Sequence, residues 1–180
     1  MKALVLYDSL GGNTEKVARR IHGALNDGGV ETELVKVAEE TEIELYDYDL
    51  LFFGSPVISW QVTKNMRKFV MKKMKAYQNK IKPSAPLRPG KFAVSFCTYS
   101  GTHIGKTEAV PLTKWFSAFL EHLGCQMMGE WHIVGAFHDM EELNIHGRLG
   151  DIRGRPNEHD LLNVENRVKG LLSALTAWMT

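Results

Sequence analysis

The sequence has few cysteines, almost no net charge and no long apolar run, and each shortage narrows the possible classes of protein. Two cysteines among 180 residues are too few for a disulfide-stapled domain. Cys97 lies near the end of one predicted strand and Cys125 near the start of another. Parallel neighbouring strands would hold the two sulfurs roughly 15–20 Å apart, which is beyond the reach of a disulfide. Two unpaired thiols suit a reducing compartment.

The charges are balanced, because 22 Lys and Arg side chains face 21 Asp and Glu side chains. A formal net charge of +1 gives the chain no general attraction to nucleic acid or to a membrane surface. No apolar run approaches the ~18 residues of a membrane span. The apolar run after Met1 is also shorter than the ~7–15 residues of a signal-peptide core. We therefore expect a cytoplasmic protein without a membrane segment.

Apolar residues make up 44% of the sequence, enough for a continuous core in one domain that covers residues 1–180. Three segments are predominantly apolar, as strands buried on both faces are, and two mix polar and apolar residues, as edge strands do. The apolar strands are predicted at 3–7, 50–54 and 91–97, and the mixed strands at 31–37 and 126–134. Helices are predicted at 13–26, 64–81, 110–123 and 163–179, while 135–160 has no regular pattern.

This alternation predicts an α/β protein with a parallel sheet. The order 2-1-3-4-5 places the apolar strands in the centre and keeps every crossover right-handed. The predicted architecture is therefore a single-domain, three-layer sandwich around a five-stranded parallel sheet. Ligands of such sheets bind beyond the carboxyl ends of the strands, where the strand order reverses. Here that point lies between the first and third strands.

Three loops are expected at that point. The stretch YDSLGGNTEK (residues 7–16) leaves the first strand through two glycines and then enters a helix. Glycine allows a tight or left-handed turn, and the N–H groups at a helix N-terminus bind anions. The segments 55–62 and 98–105 follow the third and fourth strands. All three loops therefore look like ligand-binding loops.

The three loops resemble those of the flavodoxin family. SLGGNT (9–14) is similar to the family's phosphate loop, which reads hydroxyl-any-hydroxyl-Gly-any-Thr. GSPVISWQV (54–62) and TYSGTHIG (98–105) are similar to the loops on the two sides of the flavin, and GRPNEHDL (154–161) looks like the segment that opens the last helix. The resemblance covers most of the chain. It implies a flavodoxin-like fold, noncovalently bound FMN and electron transfer.

The resemblance also implies a set of cofactor-binding residues in these loops. They are Ser9, Leu10, Gly11, Gly12, Asn13, Thr14, Ser55, Pro56, Val57, Ile58, Trp60, Thr98, Tyr99, Ser100, Gly101 and His103. The FMN phosphate needs several donors, which the backbone N–H groups of residues 10–14 and the hydroxyls of Ser9 and Thr14 can supply. Gly11 stands where the family usually has Ser or Thr. One hydroxyl is therefore missing, and we expect a lower phosphate affinity.

Aromatic side chains are expected beside the flavin ring, where stacking is favourable. Trp60 and Tyr99 lie on the two loops that would flank the ring, although either side chain could instead belong to the core. His103 would touch the ring edge or lie on the surface. Ser55 and Thr98 are expected to form hydrogen bonds at the strand ends.

The loop after the third strand has no glycine beyond Gly54. The resemblance implies that a backbone carbonyl of this loop turns toward the flavin when the flavin is reduced. β-Branched Val57 and Ile58 resist positive φ, so we expect this turn to be costly unless Ser59 makes it.

The predicted helix at 64–81 and the residue after it carry eight cationic side chains and no acid. The cations are Lys64, Arg67, Lys68, Lys72, Lys73, Lys75, Lys80 and Lys82. They form either a solvated helix face or a docking surface for an acidic redox partner. Nucleic-acid binding is disfavoured, because the basic face lacks interleaved aromatic residues.

Other nucleotide and metal sites fit the sequence less well. GTHIGKT (101–107) is one residue shorter than a P-loop and has no evident Walker-B carboxylate. The seven histidines are scattered without the spacing of metal ligands. Two alternatives to an FMN electron carrier stay open, which are an NAD(P)H:quinone oxidoreductase on the same fold and a binding module without flavin.

Overall fold

A five-stranded parallel sheet forms the centre of the protein. The computed structural model describes residues 1–179. The predicted domain ends at Thr180, which lies outside the described residues. The strands are β1 (Lys2–Tyr7), β2 (Glu31–Lys36), β3 (Leu50–Pro56), β4 (Phe92–Tyr99) and β5 (Gln126–Val134). They pair in parallel in the order β2-β1-β3-β4-β5. The strand order predicted from the sequence is confirmed.

Helices cover both faces of the sheet. Within residues 1–179 the α-helices are α1 (Asn13–Asp27), α2 (Lys64–Ala76), α3 (Gln78–Ile81), α4 (Val110–His122), α5 (Glu141–His146) and α6 (Glu158–Met179). One buried cluster joins the sheet to α1 and α6, and a second joins its other face to α2 and α4. The result is the predicted three-layer sandwich. None of these helices is long and apolar enough to cross a membrane.

The apolar strands occupy the centre because both of their faces are covered. Every residue of β4 is buried. In β1 every residue except Lys2 is buried, and in β3 every residue except Pro56 is buried. In contrast, β2 is an edge strand without a single fully buried residue. Phe52 and Phe53 of β3 belong to the two different buried clusters, one on each face of the sheet. Phe53 packs edge-on against Phe116 of α4 at 5.8 Å between ring centroids, whereas Phe52 packs against Trp131 of β5 at 5.7 Å.

Both cysteines are buried and unpaired, as their predicted positions indicated. Cys97 belongs to β4, and Cys125 immediately precedes β5. Burial raises the pKa of both thiols, that of Cys125 to about 11. Both side chains therefore remain protonated near neutral pH.

The last helix begins earlier than the apolar periodicity predicted. It starts at Glu158 rather than at residue 163, because Asn157 and Asp160 cap it reciprocally. The Asn157 side chain accepts a hydrogen bond from the Asp160 N–H at 3.1 Å, and the Asp160 carboxylate accepts one from the Asn157 N–H at 2.9 Å. Arg155 forms an ion pair with the same carboxylate. The start of the helix is set by these polar residues and not by apolar spacing.

Other predicted boundaries also differ from the structure. The helix predicted at 64–81 is interrupted at Tyr77, which separates α2 from α3. Tyr77 is buried there, and its phenol oxygen accepts a hydrogen bond from the Leu45 N–H at 3.0 Å. In addition, β4 continues to Tyr99 instead of ending at residue 97. Thr98 and Tyr99 are therefore held by strand pairing rather than by a loop.

Gly54 leaves space for an aromatic ring in the core. A Cβ atom added to Gly54 would lie 2.0 Å from Phe96 Cζ, on the neighbouring residue of β4. We expect Gly54→Ala to lower the free energy of unfolding by about 1–3 kcal/mol, because a buried ring must move. Gly170→Ala is the matched control, since a Cβ there meets no atom within 4 Å and the site lies inside α6. That variant should gain about 1 kcal/mol. Urea denaturation measures both changes, and an unchanged stability of Gly54→Ala would contradict this packing.

Candidate cofactor-binding site

A cleft opens at the edge of the sheet where β1, β3 and β4 end. Its walls come from the loop between β1 and α1, the ends of β3 and β4, and the segment that follows β5. The predicted site residues that line it are Ser9, Leu10, Gly11, Asn13, Thr14, Pro56, Val57, Ile58, Thr98, Tyr99 and Ser100. The cleft therefore lies at the reversal of strand order, between β1 and β3.

The loop between β1 and α1 turns at Gly12, whose φ of +90° is left-handed and favours glycine. The Gly12 N–H donates to Ser9 Oγ at 3.1 Å. This bond fixes the loop and leaves the proton of the Ser9 hydroxyl available to a further acceptor. Within the described chain no side chain caps α1. The backbone N–H groups at the start of α1 therefore remain available at the floor of the cleft.

A pair of hydroxyls lies beside this helix start. Thr14 Oγ1 and Thr98 Oγ1 are 2.7 Å apart, and both residues are buried. The hydrogen bond between them uses one of their two hydroxyl protons. The second proton can donate to an acceptor in the cleft. This contact also ties α1 to the end of β4.

The segment after β5 supplies a wall of the cleft that the sequence analysis missed. Its lining residues are Gly135, Ala136, Phe137 and His138. Asn13 Nδ2 donates to the Ala136 carbonyl at 2.8 Å, which joins the segment to the start of α1. A signal was available, because β5 is parallel to the other strands and its carboxyl end must reach the same edge of the sheet. The irregular pattern of residues 135–160 concealed it.

The loop after β3 forms a tight turn at Ser59 and Trp60. Ile58 and Gln61 exchange backbone hydrogen bonds of 2.9 and 3.0 Å across it, and Ser59 and Trp60 take positive φ values of 48° and 65°. Ser59 and Trp60 therefore take the positive φ values, and the β-branched Val57 and Ile58 do not. The turn exists without glycine.

Trp60, which was predicted to lie beside the flavin ring, is not among the residues that line this cleft. Its side chain is 59% exposed, so it is not a core residue either. Trp60 lines a separate hollow together with Trp115 of α4. Tyr99, the other predicted aromatic residue, is both buried and part of the cleft wall.

Ser55 is fully buried, and its hydroxyl forms hydrogen bonds within the protein. It donates to the Pro56 carbonyl at 3.0 Å and accepts from the Thr63 N–H at 3.2 Å. The Thr63 hydroxyl in turn donates to the buried Asp8 carboxylate and accepts from the Met66 N–H, which caps α2. This network holds the ends of the loop between β3 and α2 against β1.

Five of the predicted site residues do not line the cleft, and they are Gly12, Ser55, Trp60, Gly101 and His103. Gly12 provides the left-handed turn of the loop between β1 and α1. Gly101 also has a positive φ, of 61°, and its backbone approaches the side chain of Leu149. His103 is exposed, and its backbone N–H donates to the Glu108 carboxylate at 2.8 Å.

The described residues that line the cleft include no Lys or Arg. An anion in this cleft would therefore be held by N–H and O–H dipoles. Burial raises the pKa of the Tyr99 phenol, which stays neutral. Among residues 1–179, no three His, Cys, Asp or Glu side chains are grouped so that they could hold a metal ion.

Comparisons with known proteins agree with this geometry. A family model described as a flavodoxin domain matches residues 4–108. The matched region contains most of β1, all of β2 to β4, and three of the four walls of the cleft. The chain belongs to the flavodoxin family.

Solved structures of flavodoxins share the whole fold. A flavodoxin from the domain Archaea has a TM-score of 0.68 and 18% identity, over 98% of this chain and 99% of that chain. A cysteine mutant of flavodoxin from Pseudomonas aeruginosa has a TM-score of 0.67 and 14% identity, over 98% and 99%. Rubredoxin oxygen:oxidoreductase from Desulfovibrio gigas has a TM-score of 0.65 and 18% identity, over 99% of this chain but only 37% of that one.

The Thr63 hydroxyl gives a direct test of the network behind the cleft. Thr63→Val should lower the free energy of unfolding by about 1–3 kcal/mol, because α2 loses its cap and the buried Asp8 carboxylate loses a donor. Thr63→Ser retains the hydroxyl and is the control, with most of the stability expected to remain. Urea denaturation of the protein without added ligand gives both values. Equal losses in the two variants would show that the methyl group, and not the hydroxyl, matters at this position.

Proposed function

We propose that this protein binds FMN in the cleft and carries electrons between redox partners. The observation that supports the proposal most strongly is the arrangement around Gly12. The uncapped start of α1 and the free hydroxyl protons of Ser9 and of the Thr14–Thr98 pair lie together at one end of the cleft. Such a set of donors suits a phosphate group, because charge-assisted hydrogen bonds contribute about 1.5–3 kcal/mol each. The family membership of the chain supports the same ligand.

The remaining walls suit the ring system of FMN. Tyr99 offers an aromatic surface, and Pro56, Val57 and Ile58 offer apolar ones. A cleft with polar donors at one end and apolar walls beside them matches a molecule with a phosphate and an aromatic ring. Bound FMN would supply the electron-transfer chemistry, while the protein contributes binding and electrostatics.

We also propose an acidic redox partner that docks near residues 64–82, although fewer cations are free there than the sequence suggested. Glutamates of the segment 39–44 lie within ion-pair distance of four of the cations, Lys68, Lys72, Lys73 and Lys80. Among the described residues, the other four form no ion pair. Of these, Lys64 lies beside Leu10 and Ile58, next to the cleft. The remaining positive charge near the cleft favours an acidic partner through electrostatic steering.

The dependence of electron transfer on salt tests the charge of the partner. We expect an acidic redox protein to reduce the FMN-loaded protein more slowly as ionic strength rises, because added salt screens the attraction. Lys64→Gln should weaken the salt dependence. Lys80→Gln is the control, since Lys80 is already 3.8 Å from Glu44. A rate that does not respond to salt would contradict steering by this surface.

Binding of FMN and riboflavin by Thr14→Val tests the proposed phosphate site. The substitution keeps the shape of the side chain and removes one hydroxyl, so the Kd for FMN should rise about tenfold, which corresponds to about 1.4 kcal/mol. Riboflavin has no phosphate, and its Kd should change little. Thr32→Val, in β2 and away from the cleft, is the matched control. Quenching of flavin fluorescence gives each Kd.

Three results would count against the proposal. Equal losses of FMN and riboflavin affinity in Thr14→Val would place the phosphate elsewhere. A protein that binds neither flavin would be a binding module without flavin. Rapid turnover of NAD(P)H with a quinone by the FMN-loaded protein would indicate an oxidoreductase instead of an electron carrier.

A further inference from the structure

His138 lies directly over Gly11, in the phosphate loop. A Cβ atom added to Gly11 would be 1.8 Å from His138 Nε2 and 2.0 Å from His138 Cδ2. Both residues line the cleft. The imidazole therefore occupies the space that any side chain at residue 11 would need.

The backbone alone does not require glycine at position 11. Among the described glycines with positive φ are Gly12 and Gly101, but not Gly11. An L-residue could adopt the conformation of Gly11 without the strain that it would meet at Gly12. What Gly11 provides is room for the His138 ring.

The position of His138 Nε2 is chemically informative. The nitrogen lies 1.8 Å from where a Cβ at residue 11 would be, in the space that a Ser or Thr side chain would need. A hydroxyl is the group that the phosphate-loop pattern has at this position and that this chain lacks. An imidazole carries an N–H donor in its neutral and its protonated forms. The imidazole of a residue distant in sequence thus brings a hydrogen-bond donor next to residue 11.

We propose that His138 is a phosphate-binding residue, which donates through its ring to the phosphate of the bound flavin in place of the hydroxyl missing at residue 11. This inference rests on the proposed function. It assigns Gly11 and His138 to one unit, in which the glycine exists to admit the imidazole. The expected weakness of the phosphate site is thereby offset.

The two residues before His138 are held in place by hydrogen bonds. The Ala136 carbonyl accepts from Asn13 Nδ2 at 2.8 Å. Phe137 and Asn144 form two hydrogen bonds, from the Phe137 N–H to Asn144 Oδ1 at 2.8 Å and from Asn144 Nδ2 to the Phe137 carbonyl at 3.0 Å. Asn144 is buried in α5. The ring is therefore carried to the phosphate loop by an ordered segment and not by a free loop.

A double-mutant cycle of Gly11→Ser and His138→Ala tests this unit. His138→Ala should raise the Kd for FMN about tenfold and leave the Kd for riboflavin nearly unchanged. Gly11→Ser should also weaken FMN, because its side chain and the imidazole cannot share the space. The double variant gains a hydroxyl and has room for it, so its affinity should return to within about threefold of the unaltered protein. Such a recovery is non-additive and is a sign of direct coupling between the two positions.

Two further variants separate a phosphate contact from a structural role. His138→Gln retains an N–H donor and should lose less FMN affinity than His138→Ala. His146→Ala removes an exposed histidine at the end of α5 and is the control, with no change in the Kd of either flavin. Circular dichroism and the urea midpoint of each variant establish that it is folded.

The outcomes distinguish this inference from the proposed function. If the unaltered protein binds FMN more tightly than riboflavin but His138→Ala binds FMN equally well, His138 is not a phosphate ligand and the proposed function stands. Parallel losses for FMN and riboflavin in His138→Ala would assign the residue a structural role and overturn the inference. If the unaltered protein binds no FMN, both the proposed function and the inference are wrong.

Discussion

The uncapped start of helix α1 is the feature on which the candidate site depends. Strand β1 delivers the chain to the edge of the sheet, and the left-handed Gly12 turns it into the helix without a side-chain cap. The backbone donors of that first turn lie beside the cleft and need an acceptor from outside the helix. Their dipoles suit an anion even though the described residues place no Lys or Arg in the cleft wall.

The parallel direction of the strands brings the other parts of the site to these donors. Thr98 at the end of β4 contacts Thr14, and the segment after β5 is tied to Asn13. Behind the cleft, the Thr63 hydroxyl joins the loop after β3 to Asp8 at the end of β1. Each contact links the helix start or β1 to a different strand end. The site is therefore a product of the sheet order and not of any one loop.

The sequence was sufficient for the fold and for the floor of the site, because these depend on local patterns. Apolar and mixed strands differ in composition, and that difference places them at the centre and the edges of the sheet. The two glycines and Thr14 stand close together, so the proposed phosphate loop is visible in a short stretch. The early start of α6 was missed because the prediction followed apolar spacing, whereas the polar residues Asn157 and Asp160 cap the helix. This capping pattern is local and can be recognised in the sequence.

Long-range contacts limited what the sequence could show. Trp60 lies in a loop next to the cleft, but it lines a separate hollow together with Trp115 of α4. His138 stands far from Gly11 in the sequence, and only the fold brings its ring over the glycine. The glutamates at 39–44 likewise meet the basic helix from another part of the chain. Composition within one helix cannot reveal such pairing.

Backbone amide NMR of the protein during titration with FMN tests the central claim most directly. The largest shifts should fall on the amides of residues 10–14, with further shifts at residues 98–100 and 135–138. Titration with inorganic phosphate should move the amides of residues 10–14 and leave Tyr99 nearly unchanged, because phosphate lacks the ring. Shifts confined to another part of the surface, or an absence of shifts at saturating FMN, would contradict a flavin site in this cleft.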